Sequence, residues 1–70
     1  MKYKKEVKQT DFKPPAHIEI ITDGSEAKYI NTVLGIHEYE YTKGEYKKGM
    51  RIKWDDAYLI KMLEYSFKIK

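Results

Sequence analysis

The chain contains no cysteine, which removes both a disulfide framework and a thiolate metal cage, the usual staples of small domains. It has only two prolines, adjacent at Pro14 and Pro15, and a single arginine, Arg51. No uninterrupted apolar run approaches the roughly 20 residues that a bilayer-spanning helix needs. The lysine-rich start, residues 1–8, is not followed by the apolar stretch of a signal peptide. These absences imply a cytoplasmic protein that takes its stability from packing or from a partner. Phosphate-binding glycine loops are missing as well, and neither Ser25 nor Ser66 stands in a nucleophile-elbow context. Nothing in the sequence implies a cofactor.

What is present is a 70-residue chain, enough for one domain. A domain of that size buries only about 60% of the surface its unfolded form exposes, so its core is thin. Aromatic residues make up 14% of the chain, with seven tyrosines among them. That share exceeds what disordered chains carry and suffices for a modest core. Thirteen lysines against one arginine, together with abundant isoleucine, tyrosine and glutamate, fit A+T-rich coding DNA. A low-GC bacterium, or a phage or mobile element living in one, has that composition.

The formal net charge is +3, and it is unevenly distributed. Residues 1–15 carry +3, residues 16–42 carry −4, residues 43–54 carry +4, and the remainder balances. If the fold preserves this segregation, a basic and an acidic region lie side by side, which governs partners more than the total does.

Residues 1–15 read as a basic N-terminal arm ending at the two prolines, whose locked φ angles and missing amide hydrogens stop a helix or a central strand. Residues 16–70 read as a single α+β domain. In it, residues 17–22 are rich in β-branched side chains and alternate in part, so they are expected to form a strand. The segment that follows has two readings. Asp23-Gly24 is a hairpin turn signal. Asp23 with Glu26 three residues on is also capping-box-like, and Ala27, Ile30, Val33 and Leu34 then fall at helical spacing, with Gly35 placed to end the helix. Two end signals and a periodic face favour the helix over residues 24–34.

Residues 36–42 alternate, with His37, Tyr39 and Tyr41 on one face and Ile36, Glu38 and Glu40 on the other. Residues 50–54 alternate again, with Met50, Ile52 and Trp54 inward, and the two strands are expected to pair as a hairpin across a polar loop. Asp55 or Asp56 caps a helix over residues 57–64, with Leu59, Ile60, Met62 and Leu63 as its apolar face. Residues 65–69 form a last strand. The resulting order is βαββαβ, the split arrangement of ferredoxin-like folds, a small antiparallel sheet with two short helices. If residues 27–34 are a strand instead, the chain becomes a curled antiparallel sheet or small barrel with one C-terminal helix.

Several constellations bear on function. Residues 41–54 interleave cations with aromatics, and Lys43, Tyr46, Lys47, Lys48, Arg51 and Lys53 suit single-stranded nucleic acid, where lysines track phosphates and aromatic faces stack bases. A solvated hairpin explains the same residues, because the outward set of a half-buried strand must be polar and exposed lysines guard against edge pairing. Glu19, Glu38 and Glu40 beside Tyr39 and Tyr41 suit a protein-facing surface, since tyrosine buries much area while keeping a polar tip. His17 and His37 lie near glutamates, but strand alternation turns Glu38 and Glu40 away from His37, which argues against a metal site. The Asp55-Asp56 pair is explained by helix capping before general acid/base work. The expected function is therefore a non-enzymatic macromolecule-binding module, a protein-binding accessory or inhibitor first and a single-strand nucleic-acid binder second. A homodimer is compatible with either.

Overall fold

A computed structural model describes residues 12–70; the expectations for residues 1–11 of the arm lie outside that range. Five strands and one helix follow in the order β1 (His17–Ile20), β2 (Ser25–Val33), β3 (Ile36–Lys43), β4 (Arg51–Asp55), α1 (Asp56–Tyr65) and β5 (Phe67–Ile69). All pairings are antiparallel and the sheet order is β4-β3-β2-β1-β5. The first four strands meander, and the helix carries the chain to the far edge, where β5 pairs with β1.

This architecture is the curled sheet with one C-terminal helix; the helix expected over residues 24–34 is not formed. Both of the cues that favoured it serve hairpins. The Asp23 carboxylate accepts hydrogen bonds from the Ser25 amide (2.9 Å) and the Ser25 hydroxyl (2.7 Å), which closes the β1–β2 turn. Gly35 has φ +79° as the second residue of a two-residue turn between Val33 and Ile36. Pairing on both sides of residues 26–28 then outweighs helical periodicity, because β2 is held there between β1 and β3.

Inward-facing residues come from alternate positions of every strand. Ile18, Ile20, Ala27, Tyr39, Trp54, Leu59 and Phe67 are buried, with Phe12, Tyr29, Tyr41, Ile52, Met62 and Leu63 packed around them. Ile60, expected on the same helix face, is exposed instead. Asp55 is the helix N-cap, its side chain accepting from the Tyr58 amide at 2.8 Å, and Asp56 stands in the first turn.

The edges of a flat five-stranded sheet lie about 19 Å apart. Here Trp54 on one edge strand and Phe67 on the other have ring centroids 5.0 Å apart, so the sheet is strongly curled. Register shifts in the β2–β3 ladder leave Ile30 and Thr42 without direct opposites, and such bulges increase local twist. The ten-residue helix, about 15 Å long, starts where β4 ends and packs against both β4 and β5, covering the open side of the curl. An aromatic row crosses the interior: Tyr29 to Tyr39 at 5.7 Å, Tyr39 to Trp54 at 5.4 Å, then Trp54 to Phe67.

Candidate functional site

The convex face of the sheet carries the residues that alternate out of the core. Antiparallel pairing interleaves their charges. Glu40 lies opposite Arg51 and Glu38 opposite Lys53 across β3–β4, Lys28 opposite Glu40 across β2–β3, and Glu19 opposite Lys68 across β1–β5. Arg51 lies 3.4 Å from Glu40 and 3.8 Å from Glu38, and Lys70 lies 3.1 Å from Glu26. Among the described residues the segregation seen along the chain is therefore not kept on the surface, because acidic β3 is flanked by basic β4.

The residues expected to bind protein are split by this arrangement. Glu19, Glu38 and Glu40 face outward, half-buried among these pairs. Tyr39 is completely buried, and its hydroxyl donates to the Pro15 carbonyl at 2.6 Å. Burial, reinforced by the neighbouring Tyr29, pushes its pKa up to about 12. Tyr41 is half-buried, with the Lys47 ammonium 5.4 Å over its ring. Neither tyrosine joins the glutamates, because period-two alternation sends them to opposite faces.

Of the residues expected to bind nucleic acid, Lys43, Tyr46, Lys47 and Lys48 gather at one end of the sheet, at the end of β3 and in the loop from Gly44 to Met50. Arg51 and Lys53 instead run along β4 opposite Glu40 and Glu38. Hydrogen bonds donated by the Lys47 and Lys48 backbone amides to the Gly44 carbonyl, both 3.2 Å, and by the Gly49 amide to the Tyr41 carbonyl, 2.8 Å, give the loop a defined shape. Gly44 is required there, since a Cβ at that position would lie 3.0 Å from Ser25 Cβ at φ +142°. Lys47 is turned inward, paired with Asp23, and the pairing holds the Asp23 carboxyl well below its ordinary range while raising Lys47. Tyr46 points away from the fold, 92% exposed and at φ +67°.

At the opposite end of β3 the β2–β3 turn presents Val33, Leu34 and Ile36. Leu34 is 97% exposed and adopts φ +53°. That combination is unfavourable twice over, since a leucine in the left-handed region costs about 1–2 kcal/mol and its side chain meets only water. Glycine, asparagine and aspartate are the usual occupants of such turns. Val33, Leu34 and Ile36, with Asn31, Glu38 and Lys53, line a shallow open groove of about 310 Å³ on the convex face. The expected site included only Glu38 and Lys53 from this set. Neither sequence reading singled Leu34 out: the helical one put it on the periodic face and the alternative put it in a strand over residues 27–34, whereas the structure places it in the turn between Val33 and Ile36.

Behind the turn, on the concave side, a polar row crosses from hairpin to helix. The Tyr29 hydroxyl lies 2.5 Å from Thr32 Oγ1, which lies 2.8 Å from His37 Nδ1, while His37 Nε2 is hydrogen-bonded to Asp56. A hydroxyl, an imidazole and a carboxylate in line form the order that activates nucleophiles. Here Tyr29 engages the threonine oxygen, Phe12 packs at 6.0 Å from the imidazole, and the ring itself is buried. What the row does is tie the β2–β3 hairpin to the first turn of α1. Among the described residues no group of three or more histidine, aspartate or glutamate side chains is arranged to hold a metal ion, and His17 lies exposed on β1.

The fold and these surfaces define a small α+β protein built on one antiparallel five-stranded sheet and one helix. No protein-family model, no curated protein and no solved structure matches the chain. Among the described residues no helix is long and apolar enough to cross a membrane.

Proposed function

We propose that this protein is a protein-binding module whose contact surface is the apolar turn between β2 and β3. The observation that carries the reading is Leu34, a large apolar side chain almost wholly in water on a backbone conformation that leucine rarely adopts. Strain of this kind concentrates at functional sites. Val33 and Ile36 widen the patch, and Glu38 and Lys53 rim it, an apolar centre with a polar border as protein interfaces have. Occupying a partner's surface in this way suits the accessory or inhibitor role that the composition suggested.

A second reading rests on Tyr46, the other exposed bulky residue at positive φ, which stands among Lys43, Lys47 and Lys48. A single stacking platform within a basic loop suits single-stranded nucleic acid. The two readings place the contact at opposite ends of β3, so one pair of substitutions separates them. Leu34→Asn suits the turn better than leucine and should raise the midpoint of thermal unfolding by several degrees, which removes misfolding as an explanation. In affinity capture from a low-GC bacterial lysate, a protein retained by the wild type and by Tyr46→Ala but lost with Leu34→Asn is the expected result. Retention by Leu34→Asn with loss in Tyr46→Ala would move the contact to the basic loop.

A further inference from the structure

The groove at the β2–β3 turn has a property that an interface for an unrelated partner does not require: it is complementary to itself. Leu34 projects as a knob at one end of the same patch in which Val33, Ile36 and Asn31 form the hollow. Glu38 and Lys53, of opposite sign, stand opposite each other in register on adjacent strands at its border. A two-fold axis through such a patch lays each Leu34 in the other copy's hollow and sets each Glu38 against the other copy's Lys53. The apolar surface is then covered with no foreign group, and Glu38 and Lys53, already neighbours within one chain and with Arg51 beside Glu38, meet opposite charge again across the axis. An isologous contact demands this match of a surface with itself.

We infer that the occupant of this patch is a second copy of the chain, forming a two-fold dimer through the β2–β3 turns. The inference rests on the protein-binding reading above and specifies its partner. The patch is small. Three apolar side chains and their rim fall short of the 1,000 Å² or so that stable specific interfaces bury, so the dimer is weak and concentration-dependent. Its geometry keeps the two Tyr46 loops at the far ends of the assembly, because Tyr46 and Leu34 lie beyond opposite ends of β3.

Sedimentation of the full 70-residue chain, from about 5 to about 500 μM, tests this directly. The expected result is a weight-average mass that climbs from one chain toward two and goes no higher. Leu34→Asn, which preserves the fold, should stay monomeric over the same range. Glu38→Lys should weaken association about tenfold or more by setting like charges together across the axis. Adding Lys53→Glu to it should restore association to within about threefold, since the reversed pair is again complementary. A wild-type chain that stays monomeric, association unchanged by Leu34→Asn, a double swap that fails to recover, or growth beyond the dimer would each overturn the second copy as occupant. A monomeric wild type that still captured another protein through Leu34 would overturn this inference alone and leave the protein-binding reading standing.

Discussion

At Tyr39 a phenol is wholly enclosed, and the only polar atom it carries inward is satisfied by donating to the Pro15 carbonyl. That bond reaches across 24 positions and fastens the proline segment to the middle of β3. Replacing Tyr39 with phenylalanine keeps the ring and removes the donor. The Pro15 carbonyl loses its partner, and the change should cost about 1–3 kcal/mol by urea denaturation. The same burial has a titration signature. In the unfolded chain Tyr39 ionises near pH 10, and in the folded chain it stays neutral to about pH 12. The unfolded state thus sheds a proton that the folded state retains, and stability falls as pH rises from 10 to 12. Tyrosine absorbance at 295 nm should show a late-ionising component that Tyr39→Phe removes; an unchanged titration curve would contradict the enclosure. Burial also divides the tyrosines. Tyr29, Tyr39 and Tyr41 are spent on the interior, while Tyr46 and Tyr65 stand in solvent.

Elements β3, β4 and α1 were legible because each has a local signature that its surroundings do not contradict. Alternation from Ile36 and again before Trp54 marked both strands of the hairpin and the inward Ile52 and Trp54, though Met50, expected inward with them, precedes β4 and is exposed, and the Asp55-Asp56 pair announced the helix. Residues 24–35 were not legible in the same way. Asp23, Glu26 and Gly35 meet helix-end chemistry and hairpin chemistry equally well, and the choice between them is made by strands β1 and β3, which lie elsewhere in the chain. The His37 row escaped for a related reason: Thr32 and Asp56 meet the imidazole only after β2, β3 and α1 are assembled, and no spacing encodes that. The Asp23–Lys47 pair is likewise a product of assembly, joining the β1–β2 turn to the β3–β4 loop. Because Asp23 is held far below its ordinary pKa of 3.8, its contribution is complete above about pH 4 and lost progressively as pH falls below that. In Asp23→Asn this component of the acid dependence should disappear. Urea midpoints compared at pH 6 and pH 3 should then differ less than in the wild type. An equal drop in both proteins would show that the pair does not link the two loops.

For the whole molecule, the consequence of antiparallel order is that charge is mixed rather than divided. Basic β4 lies against acidic β3, and Lys68 and Lys70 lie against Glu19 and Glu26. Charge mixed in this way over the described residues gives little long-range steering toward a polyanion. What remains for the nucleic-acid reading is local. Arg51 is held by Glu38 and Glu40, Lys47 by Asp23, and Lys53 stands beside the apolar turn at the other end of β3. Among the described residues this leaves chiefly Lys48 and Lys43, the latter 3.9 Å from Glu26, to meet phosphates beside Tyr46. Each phosphate neutralised on a single strand steepens the salt dependence by about 0.7, so these two lysines limit the loop's slope of log K against log salt to about −1.4. Fluorescence anisotropy with a labelled oligonucleotide across a salt series measures that slope. Binding should be weak at physiological salt, with a slope no steeper than this limit, and Lys48→Ala should make it shallower by about 0.7. A slope near −5 would mean that paired cations, or lysines among residues 1–11, also meet the ligand, and would raise the nucleic-acid reading above the apolar turn as the account of how this protein acts.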